Sequence, residues 1–295
     1  MRVLLIGKNG QVGRHVCKLL SDQANISLFA LNKKDLDITN KTEIEVIVKK
    51  YMPEIIINAA AYTAVDSAES EVKLAHMVNC SGAKFLAEAS ESLGATFFHI
   101  STDYVFSGNE VGSYKETDDA NPVNVYGASK LAGEIAVLNA CKKHIIIRTS
   151  WVFSEFGSNF VKTMLQMAGK QKTLNIVNDQ IGGPTFAGDI AHALKDILLM
   201  IDNGGIPRYG IYHYSGMPHV SWYEFANQIF DEAVEQEILS HKPKLMKIDS
   251  NQHQTAATRP KDSRLNLKKI KNQFSIQPSD WKAALHDIKL YMETL

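Results

Sequence analysis

The 295 residues carry 32 Lys plus Arg against 32 Asp plus Glu, with 45% hydrophobic and 22% charged residues. A formal net charge of zero argues against a basic nucleic-acid face and a polybasic membrane surface, and the composition is that of an ordinary globular chain. Three cysteines, Cys17, Cys80 and Cys141, lie far apart with no CxxC pair, which speaks against a zinc knuckle or a disulfide framework and suits a reducing compartment.

In chain order, the first element is a strand over Arg2–Ile6. The apolar run it opens ends at Lys8, too short for the core of a signal peptide. No later run approaches the roughly 18 apolar residues of a membrane span, so the expected location is the cytoplasm. Further strands are predicted at Ser27–Leu31, Glu54–Asn58, Thr96–Ser101 and His144–Thr149, rich in Ile, Val and Phe as strands covered on both faces are. Helical periodicity fills the gaps at Gln11–Leu20, Lys41–Tyr51, Glu71–Leu93 and Gly127–Cys141. This alternation predicts an α/β fold with a doubly wound parallel sheet.

After Phe153 the rhythm loosens. Turns are marked at Gly182-Gly183-Pro184 and across Asn203–Pro207. Ser221 with Glu224 three residues on predicts a capped helix over Ser221–Ala233. The lysine-dotted stretch Lys242–Lys247, followed by polar Ser250–Gln254, reads as a loop with a solvated face. The expected division is a dinucleotide-binding Rossmann domain over 1–150 and a smaller substrate domain over 151–295, with segments after 185 free to return to the first.

The turn after the first strand reads Gly7-Lys8-Asn9-Gly10-Gln11-Val12-Gly13 and opens a helix. Gly7 permits the turn, Gly10 lets backbone approach a pyrophosphate, and Gly13 lets helix pack on strand. The phosphate charge then sits at the positive helix end. The missing GK[ST] speaks against a Walker site. A dinucleotide site usually takes the ribose hydroxyls with an acid after the second strand. Here Asn32 is followed by Lys33 and Lys34, which suits the 2′-phosphate of NADPH, with NADH the alternative and a solvated lysine pair the plainer reading. Asp37 and Ile38 either face the adenine or cap the next helix. Small residues at Ala59–Ala61 let a cofactor lie flat on the sheet edge.

Tyr126 and Lys130, four apart, share one helix face. A nearby ammonium lowers a phenol's pKa and makes it a usable proton donor or acceptor. Thr102 ends a strand at the same sheet edge, where open α/β sheets bind ligands, and can reach a carbonyl beside Tyr126. Together these signals point to hydride transfer at a carbonyl.

In this order they resemble the extended short-chain dehydrogenase/reductases. Within that family the likeness is to reductases of dTDP-bound 4-keto-6-deoxysugars, and it runs nearly end to end. It is carried by Gly7–Gly13, Leu36–Thr39, Asn58–Glu69, Ser101–Gly108 (STDYVFSG), Tyr126–Glu134 (YGASKLAGE), Arg148–Phe153 (RTSWVF), Asn159–Leu165, Asp179–Thr185 (DQIGGPT) and Arg259–Asn266. The resemblance implies reduction of dTDP-4-dehydro-6-deoxy-L-mannose to dTDP-L-rhamnose, feeding a cell-surface glycan such as O antigen. It implies Tyr126 as the proton donor. Lys130 would hold the nicotinamide ribose and depress the Tyr126 pKa, and Thr102 would bind the substrate carbonyl. Asp103 and Trp151 would lie on the sugar. Gln11, Val12, Asn32, Asp37, Ile38, Ala61, Tyr62 and Thr63 would line the cofactor. Asn32 stands where several relatives have an acid, and Tyr62 where many have His. Some members bridge a homodimer with magnesium through glutamates. His15 stands at one such position, so no metal is expected, while a homodimer remains the default. The same resemblance leaves open a reductase giving the talose epimer, or a regulatory subunit that binds a dinucleotide without turnover.

Overall fold

Unbroken apolar runs give strands that can be covered on both faces, and in the computed structural model, which describes residues 1–110 and 112–293, they form one central parallel sheet. The first half comprises β1 (Arg2–Ile6), α1 (Gln11–Ser21), β2 (Ser27–Leu31), α2 (Lys41–Tyr51), β3 (Ile55–Asn58) and α3 (Val65–Ala68). It continues with α4 (Val72–His76), a π-helical segment (Met77–Gly82), α5 (Ala83–Leu93), β4 (Thr96–Thr102), a 3-10 turn (Asp103–Val105), α6 (Val125–Ala140) and β5 (His144–Thr149). The second half holds β6 (Val152–Phe153), α7 (Phe160–Ala168), β7 (Thr173–Val177), β8 (Ile181–Gly182), β9 (Thr185–Phe186), α8 (Ala187–Asp202) and β10 (Gly210–His213). After these come β11 (Val220–Ser221), α9 (Trp222–Glu235), β12 (Lys244–Ile248), a second 3-10 turn (Ser250–Gln252), α10 (Lys268–Phe274), α11 (Trp281–Leu285) and α12 (Lys289–Glu293).

The sheet order is β10-β5-β4-β3-β1-β2, all parallel. One face is sealed by α1 and α8, through Val12, Val16, Ile190, Leu194 and Ile197 against Val3, Leu5, Phe98 and Ile145. The other is sealed by α2, α5 and α6, through Ile44, Val48, Leu86 and Val137 against Leu4, Ile56, Phe97 and Ile146. The sixth strand, β10, and its covering helix, α8, come from beyond residue 185, and β10 pairs with β5 in register from Gly210 opposite Ile145. A separate aromatic core, with Phe153, Phe225, Phe230, Trp281 and Tyr291 at its centre, holds the second lobe together.

Two expectations change. The helix predicted over Glu71–Leu93 is broken into α4, the π-helical segment and α5. One extra residue in a turn leaves the apolar spacing on either side intact, so periodicity does not report it. The stretch read as a loop contains a strand: β12 pairs in parallel with β7, from Lys244 opposite Thr173 to Ile248 opposite Val177. Its lysines stand on an exposed edge, where charge protects an edge strand. The Ser221 capping box is present as read, with Ser221 accepting from Glu224 N–H and the Glu224 carboxylate accepting from Ser221 N–H, and its helix runs on to Glu235.

Candidate active site

At the carboxyl edge of the sheet a cleft of about 570 Å³ opens, in the size range of small-molecule sites. Of the residues singled out in the sequence, Gly10, Gln11, Val12, Ala61, Thr63, Thr102, Asp103, Tyr126, Lys130 and Trp151 line it. The turn behind α1 explains three glycines. Gly7 has φ +90°, and a Cβ there would lie 2.7 Å from the Ala59 carbonyl carbon. A Cβ on Gly13 would lie 2.1 Å from the Gly7 carbonyl oxygen, so helix and turn touch only because residue 13 is glycine. Gly10 caps α1 without a side chain, and the first helical bond runs from Arg14 N–H to its carbonyl. The N–H groups of the first turn therefore face the cleft without intrahelical partners, as an anion requires. Gln11 also reaches across: its Oε1 accepts from Asn159 Nδ2 at 3.0 Å and from Ser154 Oγ at 3.1 Å, tying α1 to the second lobe.

Asn32, Asp37, Ile38 and Tyr62 do not line the cleft. Asn32 ends β2 and caps its own turn, its Oδ1 accepting from Lys34 N–H at 2.8 Å. An acid is present there after all: the Asp35 carboxylate accepts from Asn32 N–H at 3.0 Å and from Lys8 Nζ at 2.8 Å, and these bonds hold it below the usual range. Asp37 accepts from the Thr39 N–H and hydroxyl, and Ile38 is core, pressed against Gly82. The Tyr62 hydroxyl donates to Glu71, while its backbone is gripped by Asn79.

Asn124 caps α6 by accepting from Gly127 N–H at 2.7 Å, which sets Tyr126 in the first turn. Gly127 and Gly133 let the helix lie close, since a Cβ on either would meet a backbone oxygen at 2.1 Å. Tyr126 and Thr102 line the same cleft, and Tyr104 meets the Tyr126 ring edge-on at 5.5 Å. The expectation for its pKa is reversed. Desolvation pushes the phenol up to about 12, opposed by the Thr102 hydroxyl and reinforced by the Asp103 charge. Lys130 does not offset this because its ammonium end turns inward, 2.6 Å from the Ile100 carbonyl and 3.5 Å from His99 Nε2. Burial brings Lys130 itself down to about 8, against the pull of Glu134. Asp103 is raised to about 6 by burial, opposed by the Ser263 and Thr102 hydroxyls. Glu134 is locked in a buried pair with Arg148, N–O 2.7 Å, and accepts from Ser101 Oγ.

Trp151 sits in left-handed backbone, φ +46°, a rare conformation for a bulky side chain that is found where a structure over-determines it. Its indole stacks on Trp222, with centroids 3.5 Å apart and planes 6° apart. Gly182 makes room, since a Cβ there would stand 2.5 Å from the Trp151 ring. Trp222 borders a second cavity of about 720 Å³, with Gln180, Thr258, Arg259 and Lys261 in its wall. The indole pair thus partitions two cavities.

The sequence reading missed Asn79, Asn58, His99 and Trp222. Asn79, in the π-helical segment, accepts from Tyr62 N–H at 2.8 Å and donates to Tyr62 C=O at 3.0 Å and Ser129 Oγ at 2.9 Å. It ties the loop after β3 to α6. The available signal was a polar residue breaking an apolar run: Asn58 closing IIIN, and His99 between Phe98 and Ile100.

A dinucleotide fits this cradle: unpartnered helix N–H groups behind a side-chain-free Gly10, small residues at Ala59–Ala61, and a phenol and an amine at the far end. Fold and site together define a short-chain dehydrogenase/reductase of the extended type. The family model described as the RmlD substrate binding domain matches residues 1–292. The chain belongs to this family, that of the dTDP-4-dehydrorhamnose reductases. It is 50% identical over 292 residues to the dTDP-4-dehydrorhamnose reductase of Aggregatibacter actinomycetemcomitans, covering 99% of both chains. Among solved structures, the dTDP-4-dehydrorhamnose reductase of Clostridium acetobutylicum superposes with TM-score 0.90 at 35% identity, over 99% of this chain and 100% of that one. The Bacillus anthracis enzyme, in complex with NADP, gives 0.89 at 36% identity over 99% of each.

Proposed function

We propose that this protein reduces the 4-keto group of dTDP-4-dehydro-6-deoxy-L-mannose to give dTDP-L-rhamnose, using NADPH, with NADH as the alternative donor. The observation that carries the reading is the convergence of Thr102, Tyr126 and Lys130 on one cleft with the bare N-terminus of α1. A bound reduced nicotinamide supplies the hydride. Gly7, Gly10, Gln11, Val12 and Gly13 would hold its pyrophosphate, with Ala61 and Thr63 along its length and Asn32, Asp37, Ile38 and Tyr62 toward the adenosine end. Lys33 and Lys34, exposed beyond Asn32, favour a 2′-phosphate, and the NADP-bound relative supports that choice.

The chain's own part is proton supply and placement. Tyr126, still a phenol at neutral pH, donates its proton to the carbonyl oxygen as negative charge develops there, and Thr102 steers the same oxygen. Asp103 and Trp151 hold the deoxysugar. Arg259 and Lys261, in the cavity beyond the indole pair, suit a nucleoside diphosphate. The cofactor half would comprise 1–150 with the returning 187–213, and the remainder of 151–295 would carry the sugar nucleotide. No helix among the described residues is long and apolar enough to cross a membrane. The setting that fits the reaction is the cytoplasm, with a homodimer as the working form, no nucleic-acid partner and no resident metal.

The test supplies purified protein with the keto sugar and either cofactor, follows the loss of reduced-nicotinamide absorbance, and identifies the product by NMR. dTDP-L-rhamnose is expected. A talose product would overturn the stereochemical assignment, and dinucleotide binding without oxidation would point to a regulatory subunit. Tyr126→Phe should fold normally and lose roughly 10²- to 10⁴-fold in kcat.

A further inference from the structure

Between α8, the residues after β10 and the segment leading into α11 lies a third cavity of about 480 Å³, in the size range of small-molecule sites. It shares no lining residue with the cleft at the sheet edge. Three carboxylates line it: Asp189 and Asp196 on α8, and Asp280 at the cap of α11. No lysine or arginine is among the described residues of its wall, and His192 is the one basic side chain there. Among the described residues no salt bridge reaches any of the three carboxylates. Burial raises the Asp189 carboxyl, and the Asp280 charge works in the same direction.

Tyr214 points to a ligand independently. It is 3% exposed, inside the core that α8 shares with the sheet, yet it lines this cavity, and its hydroxyl has no hydrogen-bond partner among the described residues. A buried phenol ordinarily finds a partner. Burial pushes its pKa up and the Asp189 and Asp196 charges add to that, so its polar end lies on their side of the ring. The hydroxyl keeps its proton and holds lone pairs ready for an N–H donor.

The donor set does not suit a metal ion. Among the described residues no three His, Cys, Asp or Glu side chains are grouped closely enough to hold one. Asp189 and Asp196 are seven residues apart on α8, about 10 Å along the helix axis. Ala193 stands between them on the same helix, and Ile276 and Pro278 add apolar wall from the segment before α11. Separated negative charges with apolar surface between them match an alkyl chain with an ammonium at each end. We propose that this cavity binds an aliphatic polyamine, its ammonium groups on Asp189, Asp196, Asp280 and the Tyr214 hydroxyl and its methylenes on Ala193, Ile276 and Pro278. Ammonium–carboxylate hydrogen bonds are of the strong, charge-assisted kind, and the methylenes lose water on the apolar wall.

The occupant would lie on a seam. Tyr214 and Ile276 belong to the core of the parallel sheet, Trp281 and Ala284 to the aromatic core of the second lobe. Ser279 already stitches the two, donating to Asp189 at 2.6 Å and accepting from Phe186 N–H at 3.1 Å. A polyamine held on both sides binds the folded chain and not the unfolded one, so it raises the unfolding midpoint.

The test uses the full chain in metal-free, low-salt buffer and spermidine as the probe, and it needs no turnover. Calorimetric titration should show one saturable site per chain, and the unfolding midpoint should rise with spermidine concentration. Asp196→Asn, at an exposed position, should weaken binding about tenfold. Tyr214→Phe, which keeps the ring, should weaken it about three- to tenfold. Glu45→Gln, which removes an exposed charge on α2, should leave it unchanged. Four results overturn the proposal: no saturable binding at about 1 mM spermidine, binding of n-butylamine as tight as that of spermidine, displacement of spermidine by an equal concentration of magnesium, or the same loss of affinity in Glu45→Gln as in Asp196→Asn. Should Tyr214→Phe fail to fold, Asp196→Asn against Glu45→Gln decides.

Discussion

A carboxyl group held at about pH 6 in the folded chain and near 3.9 when unfolded binds more protons in the native state between those values. Asp103 therefore subtracts stability as pH rises through that window. Asp103→Asn should raise unfolding free energy at pH 7 by about 3 kcal/mol, with the gain gone by about pH 4, as urea titrations at both pH values would show. Activity should fall in the same variant, because stability and a site's strained charge trade against each other. Lys130 gives the complementary profile. Its proton is lost as pH rises through about 8, so kcat/KM in the reductive direction should decline there, well below the range of an ordinary lysine. Tyr126 and Lys130 were legible in the sequence because four-residue spacing on a helix is a local fact. The inward turn of the Lys130 ammonium was not, because it depends on a carbonyl and a histidine of another strand.

Helix and strand positions follow from local pattern where the pattern is redundant. β1, β2 and β5 lie where Ile, Val and Leu runs place them, and Ser221 with Glu224 begins α9. Removing that cap in Ser221→Ala should cost about 1 kcal/mol, read as a lower denaturation midpoint with unchanged slope. Pattern fails where one residue or one charge alters the element without altering the rhythm. The π-helical segment is the case with functional weight, since it turns Asn79 inward to hold both backbone groups of Tyr62. Asn79→Ala leaves those groups unpaired, so the KM for the nicotinamide cofactor should rise about tenfold while the sugar KM changes little. β10 escaped notice for another reason: four residues, GIYH, are too few to show a period.

Across the whole molecule, specific polar contacts tie the two lobes together, Gln11 with Asn159 and Ser154 among them. Arg259 pairs with Asp66 at 2.7 Å, Ala257 N–H donates to the same carboxylate, and Asn124 donates to Thr258 C=O. This draws the segment around residue 258, a wall of the second cavity, onto the first half of the chain. The pair is partly exposed, so Arg259→Ala should cost no more than about 1 kcal/mol of stability. Its effect should fall on the sugar nucleotide, with KM raised about tenfold or more, kcat less affected and cofactor KM preserved, in steady-state kinetics with each substrate varied in turn.

The late return of β10 and α8 also bears on how the protein is made. A ribosome delivers β1 to β5 first, so for a time β5 is the open edge of a five-stranded sheet and the side of α1 that meets α8 has no cover. The helix is covered once α8 has emerged at residue 202, and the strand edge closes only at residue 213, some sixty residues after β5. By then part of the second lobe is already outside the exit tunnel. Synthesis therefore passes through a nascent chain with a sticky strand edge and a bare helix face, the stage at which an edge-binding chaperone would be needed most.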